Sequence, residues 1–461
     1  MRAMGIDIGT TTISVVLLDE QVGDVIASRT ISHNSFIQGK SLRNCIQDSE
    51  KIYELTKGIV TELIMEYGKP DSIGFTGQMH GVLYVDENGK AVTPLYTWQD
   101  GSGNENFKNG FTYAQFLKKE VGMASAGYGI TTHFYLYDKG EIPKNACKMT
   151  TISDYIAIRF CGRSTPVMTR DMAASWGCFD LRQGKFMKEE LEKLGIPTEY
   201  LPDIYEEPII IGKTIEKAIE DVPVVSSLGD NQASFIGAVR DFSNTVLINI
   251  GTGSQVSFAT NNYYESGQEI EIRPCVNAPY ILVGSGLCGG RAYAMLEAFY
   301  RRIFNMVGVN MDDKILYEMM EKNAQEYMEQ NGIEQAWNIC TTFAGTRQNP
   351  SESGKITDVS VKNFSPEAMT VGMIKGILEE LYSMYQKICH ITGKSAMNLV
   401  GSGNGIRKNV LMQKIAEIIF GMNLKIPKCE EEAAFGAALQ SLVTSGMVSS
   451  LESVQEKIRY I

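Results

Sequence analysis

Gly5-Ile6-Asp7-Ile8-Gly9-Thr10-Thr11-Thr12 places a carboxylate near the end of a short apolar run and follows it with a glycine and a row of threonines. Those residue types suit a polyanion. Gly9 lets the backbone come close, the turn N–H groups and the hydroxyls of Thr10, Thr11 and Thr12 can donate hydrogen bonds, and Asp7 can hold Mg²⁺ through water. A plain hairpin with a polar tip has the same composition, so the stretch alone decides nothing. The pattern returns in the second half as Leu247-Ile248-Asn249-Ile250-Gly251-Thr252-Gly253-Ser254. Duplication is the simplest account. The change from Asp7 to Asn249 makes electrostatic sense, because one metal-holding carboxylate suffices and a second would repel phosphates. Two such loops facing each other would clamp a triphosphate between two related domains.

Other chemistry-bearing residues sit at comparable junctions. A short buried strand, Ser72 to Thr76, delivers Gly77-Gln78-Met79-His80-Gly81, and Trp98-Gln99-Asp100-Gly101 follows a further turn. A Trp face, an amide and a carboxylate gathered on loops suit a polyhydroxylated ligand. A structural His80 and a core Met79 are the competing reading. Asp230 and Asn231 follow the strand–glycine stretch Pro223 to Gly229 and precede a helix, Ala233 to Val239, so Asp230 occupies an N-cap position. Capping alone would account for it, but it lies just ahead of the second repeat, where a carboxylate could meet a substrate hydroxyl. Gly401-Ser402-Gly403-Asn404-Gly405 joins a strand, Met397 to Val400, to a helix from Lys408 to Phe420, and its glycines would let the backbone lie flat against a base or ribose. Thr169 to Trp176 reads equally as a polar shelf or as a loop packed by Trp176.

The elements that must position these groups follow from periodicity. Met4 to Ile31 reads as a three-strand meander with turns at Asp19-Glu20 and Val22-Gly23-Asp24, and Asp48 to Tyr67 as a helix ended by Gly68-Lys69-Pro70. Phe107 to Ile142 reads as a loop-rich insertion beside the sugar-side residues. Helices are expected over Arg291 to Phe304, Asp312 to Gln330 and Glu367 to Ile391, with a last one from Glu430, and a loop over Phe343 to Arg347 and Asn349-Pro350 to Gly354. The order meander, helix, strand predicts mixed sheets with helices on their faces, which bind ligands beyond the carboxyl ends of their strands. The short polar stretch Arg240 to Asn244 divides the chain into domains 1–240 and 241–461.

Composition agrees with that division: 461 residues at 44% hydrophobic content exceed one core and fill two domains of roughly 200 residues each. A net charge of −11 with no basic run argues against nucleic-acid or membrane-surface partners. Nine cysteines without a Cys-x-x-Cys pair, four histidines without ligand spacing, and no apolar leader or span point to a cytoplasmic protein.

Together these motifs resemble the FGGY carbohydrate kinases of the actin-like ATPase superfamily, with the sedoheptulokinase and xylulokinase branches nearest. The resemblance spans nearly the whole chain. It implies an α/β fold of two duplicated ribonuclease-H-like domains with an interdomain cleft, and transfer of the γ-phosphoryl of ATP, with Mg²⁺, to a terminal primary hydroxyl of a ketose. By it Asp230 is the base and Asp7 orients the metal. Gly9, Thr10, Thr11 and Thr12 join Gly251, Thr252 and Gly253 in gripping the phosphates, and Gly401, Ser402, Gly403 and Asn404 take the adenosine. Gln78, Met79, His80, Trp98, Asp100 and Asn231 line the substrate side. Cys288 to Tyr293 and Gly345-Thr346-Arg347 lean toward sedoheptulose, whereas Ser14 and Ser102 stand where many members carry Lys and Arg. The alternatives are a xylulokinase or other pentulose or polyol kinase, and an actin-like ATPase without a sugar. The expected partner is a small sugar, with a homodimer left open.

Overall fold

β1 (Arg2–Ile8) is buried from Ala3 to Ile6, as a strand covered on both faces must be. It pairs antiparallel with β2 (Thr12–Asp19), which pairs antiparallel with β3 (Asp24–Ser32), so the expected meander is present. The computed structural model describes every residue except 20, 22, 216, 218, 266, 268, 277, 347, 348 and 350. The expected turn positions Glu20 and Val22 and the loop positions Arg347 and Pro350 therefore lie outside the described residues.

α1 (Ser49–Tyr67) starts where Asp48 accepts the N–H of Lys51 at 3.0 Å and ends at Gly68, whose φ of 90° is open to glycine. It buries Ile52, Ile59, Val60, Leu63 and Ile64 in the core that also holds Ile6, Ile8 and Phe75. Each such side chain contributes roughly 1.5–3 kcal/mol of transfer free energy. β4 (Ser72–Gly77) then returns parallel to β1. β5 (Pro223–Val225) and β6 (Leu228–Gly229) both pair with β4, and Ile210–Lys213 closes the far edge of a seven-stranded sheet. α2 (Asp230–Ala238) follows β6 directly.

Two stretches differ from the reading of the sequence. Phe107 to Ile142 is not loop-rich, because Tyr113–Glu120 and Gly129–Asp138 are helices pinned by a cluster of Phe107, Tyr113, Phe116 and Phe134. Thr169 to Trp176 is the end of a strand followed by the short helix Arg170–Ser175, with Trp176 fully buried behind it.

The second unit repeats the plan. β7 (Thr245–Ile250) pairs antiparallel with β8 (Ser254–Thr260), which pairs with β9 (Tyr280–Gly286), and α3 (Gly290–Met306) follows. β10 (Asn398–Ser402) lies parallel to β7, as β4 lies to β1. The helix expected from Lys408 is interrupted, with Asn404–Arg407 as one turn and Val410–Phe420 as the helix proper, capped by Asn409.

The chain divides after Arg240, but not into two consecutive halves. Arg273–Asn277 and Glu431–Arg459 belong to the first unit. The reason is α4 (Glu432–Thr444), whose backbone lies directly on β1: a Cβ at Gly5 would stand 1.7 Å from the Ala434 carbonyl oxygen. At Gly436 a Cβ would stand 1.9 Å from the Ala233 oxygen on α2. Only glycine allows either approach. Among the described residues, no helix is long and apolar enough to cross a membrane.

Candidate active site

Strand register assembles the first unit's site. Ile8 on β1 stands opposite Gly77 on β4, and Gly77 opposite Gly229 on β6. Three strand ends therefore finish in one row, and the next residues along each strand are Gly9, Gln78 and Asp230. Because β6 keeps its pairing through Gly229, Gly229 is the cap and Asp230 the first helical residue, one position later than capping requires. Its Oδ1 accepts the N–H of Asn231 at 2.7 Å. Behind it, Asp171 Oδ2 accepts the N–H of Gly229 at 2.7 Å, fixing the turn from a buried position.

Burial raises the Asp230 carboxyl above its usual range, while the Asn231 N–H and the Arg273 guanidinium draw it back. Asp7 is pushed up to about 8, first by burial and then by the like charges of Asp230 and Glu431. Its Oδ1 is buried and has no partner among the described residues. A carboxylate so placed fits a hydrated divalent cation, which would relieve both the repulsion and the unmet acceptor. No group of three His, Cys, Asp or Glu among the described residues could hold the ion directly, so water and phosphate oxygens would complete its shell. Glu431 accepts from Thr30 Oγ1 at 2.7 Å, and Thr30 Oγ1 also meets Ser14 Oγ at 2.9 Å. Ser14 thus serves an internal hydroxyl chain.

The first loop is held by its carbonyls. Those of Gly9 and Thr11 are engaged by His33, through Nε2 at 3.2 Å and the backbone N–H at 3.1 Å, and that of Thr10 accepts from Gln47 Nε2 at 2.7 Å. Among the described residues nothing accepts from the N–H groups of Thr10 and Thr11. A loop whose carbonyls face the protein and whose amides do not is suited to an anion.

Among the residues expected to meet a polyhydroxylated ligand, Gln78 is buried, with Oε1 lacking a partner among the described residues. His80 has a φ of 71°, a strained value for a side-chain-bearing residue. It is held by its N–H to Ser175 Oγ at 3.1 Å, by Nδ1–H to the Ser175 carbonyl at 2.6 Å, and by stacking 4.5 Å from Tyr128. The carbonyl fixes the tautomer, leaving Nε2 as the acceptor nitrogen. Trp98 is half exposed, and its Nε1 donates to Thr10 Oγ1 at 3.0 Å. Met79 packs at the Gly229 backbone and shapes the wall. Asp100 is turned inward, accepting from Cys45 N–H at 2.9 Å and Ser102 N–H at 3.0 Å, while Ser102 Oγ takes the Asn44 amide. It organises the loop that carries Trp98. The sequence did not single out Asp171, His33, Gln47, Tyr128 or Glu431; the one local sign is a polar Gln47 between Ile46 and the capping Asp48.

In the second unit, Gly251–Gly253 is braced by backbone. Gly290 N–H donates to the Gly251 carbonyl at 2.7 Å and Arg291 N–H to the Thr252 carbonyl at 3.0 Å. A Cβ at Gly289 would stand 2.2 Å from the Gly253 oxygen, so this helix start can approach only as glycine. Asn249 Nδ2 donates to Ser402 Oγ at 2.8 Å across the parallel pair. Gly401 faces Leu424, Ile426 and Ile406, and Gly403, at φ 84°, lies against the Ile250 carbonyl. Packing thus accounts for both glycines, and it holds Ser402 and Asn404 at the strand end.

Two family models match the chain: the N-terminal domain of the FGGY family of carbohydrate kinases over residues 2–237, and its C-terminal domain over 248–445. Sedoheptulokinase of Mus musculus is 27% identical over 478 residues, spanning 95% of this chain and 97% of its own. Xylulose kinase of Staphylococcus epidermidis is 23% identical over 471 residues, spanning 98% and 90%. The structure of ligand-bound xylulose kinase from Lactobacillus acidophilus superposes with a TM-score of 0.83 at 20% identity, covering 100% of this chain and 92% of that one.

Proposed function

The chain belongs to the FGGY family of carbohydrate kinases, and from that premise we propose that it transfers the γ-phosphoryl of ATP to a terminal primary hydroxyl of a ketose, sedoheptulose ahead of xylulose. Membership brings phosphotransferase activity and the two-domain actin-like ATPase fold. The observation that carries the reading is the row of strand ends, which brings the Gly9 loop, Gln78 and Asp230 together.

Phosphoryl transfer proceeds through a loose transition state, so positioning and charge stabilisation do most of the work. Asp230 holds the attacking hydroxyl and accepts its proton; burial moves its affinity for protons toward neutrality, where a base is most effective. The N–H groups of Thr10 and Thr11, without acceptors among the described residues, meet phosphate oxygens. Asp7 would hold Mg²⁺ through water, and the ion would supply neutralisation of charge on the phosphates when bound. Gln78 Oε1 accepts from a sugar hydroxyl, His80 presents Nε2, Trp98 offers its ring face, and Asn231 lies beside the base. Gly251, Thr252 and Gly253 grip phosphates, and Gly401 to Asn404 meet the adenosine.

The leaning toward sedoheptulose is supported by the 27% identity to the mouse enzyme along nearly all of both chains. The test is ADP release with sedoheptulose, xylulose, ribulose, fructose and glycerol. A higher kcat/KM for sedoheptulose is expected, and a clear preference for xylulose moves the chain to the other branch.

A further inference from the structure

Gln47 joins the residue that reads the sugar to the loop that holds the phosphates. It is fully buried. Its Nε2 donates to the Thr10 carbonyl at 2.7 Å, and its Oε1 accepts from Gln78 Nε2 at 3.0 Å. Gln78 in turn is fixed to β1 through its own N–H on the Ile8 carbonyl at 2.9 Å.

The polarity of this chain follows from the Thr10 carbonyl, which can only accept. Gln47 must therefore turn its NH₂ toward the loop, its oxygen must face Gln78, and Gln78 must answer with its own NH₂. One oxygen remains at the end, Gln78 Oε1, buried and without a partner among the described residues. A hydroxyl that donates to this oxygen strengthens the bonds behind it, since bonds in such a chain polarise one another. Trp98 Nε1 on Thr10 Oγ1 ties the sugar side to the same loop residue from the exposed face.

We propose that Gln47 is a positioning residue that couples sugar binding to the geometry of the first phosphate loop, so that the sugar raises affinity for the nucleotide. The coupling rests on the assignment of Gln78 to the sugar, whereas the bracing of the loop does not. Gln47→Met keeps length and volume but removes both ends of the relay. Loss of one hydrogen bond of ordinary strength predicts about fivefold faster hydrogen exchange at the Gly9 and His33 amides that close the loop, in protein without ligands. It also predicts that sedoheptulose no longer tightens ADP in direct titration, whereas the wild-type chain shows tightening.

Gln78→Glu supplies a second route. It sets an oxygen against Gln47 Oε1, so the same loss of coupling is expected, measured with the sugar at saturation for this variant. A melting temperature near that of the wild type identifies variants fit for comparison. Unchanged exchange at Gly9 and His33 in Gln47→Met, or full coupling in either variant, overturns the proposal. A wild-type protein that phosphorylates none of the ketoses while Gln47→Met still speeds exchange removes the functional reading and leaves the brace standing.

Discussion

Gly9, Thr10, Thr11 and Thr12 separate the paired residues Ile8 and Ile13, whereas only Gly251, Thr252 and Gly253 separate Ile250 and Ser254. The longer loop is braced largely by side chains, those of His33 and Gln47. The shorter one is braced by the backbone N–H groups at the start of α3. Before the first loop stands a carboxylate with an unmet oxygen; before the second stands an amide already donating to Ser402. A duplicated element has therefore been divided in labour. The first copy sits among ionisable and amide side chains, whereas the loop of the second is fixed by backbone contacts.

The largest effect that sharpens this contrast is expected at Asp230, the proposed base, which follows the strand end beside the first loop. Asp230→Asn should retain the fold, because its side chain does not cap α2. A positioned base contributes ~10²- to 10⁴-fold, so kcat should fall by that factor with nucleotide KM nearly unchanged. Turnover within a few fold of the wild type would take Asp230 out of the chemistry. Next come the exchanges that make the loops alike. Asp7→Asn should lower Mg²⁺-dependent kcat by about 10²-fold while sparing sugar KM. Asn249→Asp should instead raise ADP dissociation by about tenfold through repulsion. If both exchanges act on the same parameter, the division of labour is wrong.

The smallest effect concerns protons. Burial lowers the pKa of His33, with Lys51 adding to the fall and the Gly9 carbonyl opposing it. An unfolded His gains its proton near pH ~6.5, and the folded one holds off to lower pH, so its contribution to stability is full above that value and is lost as pH drops. His133, buried between Tyr84 and the Pro197 carbonyl and pushed down to about 4, adds a slope of the same sign. The informative quantity is thus the difference between chains: melting temperature should fall less from pH 7 to pH 5 in His33→Asn than in the wild type. Equal slopes would mean that the first loop's brace is as indifferent to protons as the second's.

What was legible in the sequence was local. The Asp7–Gly9 motif, its echo at Asn249–Gly251 and the capped α1 are written in adjacent residues, and they lie where their patterns place them. Asp230 was misplaced by one position because β6 extends to Gly229 through pairing with β4, a partner far away in sequence. Phe107 to Ile142 was misread because glycines at helix starts look like loops, while the ring cluster that folds the segment forms only in three dimensions. Gln47, His33 and Asp171 gave little sign, since a buried polar residue has its meaning from the atom it faces.

α4 carries one more implication, for how the molecule is made. Peptide chains leave the ribosome from one end, and residues 431–459 leave after nearly all of the second unit. Until then the central strand of the first sheet lacks the helix whose backbone rests on Gly5. The face of that sheet on which Gly5 lies gains its covering helix only after the intervening residues 241–430 have been synthesised. The strand bearing Asp7 is thus made well before the helix that covers it, and it cannot be fully enclosed until residues 431–459 have emerged.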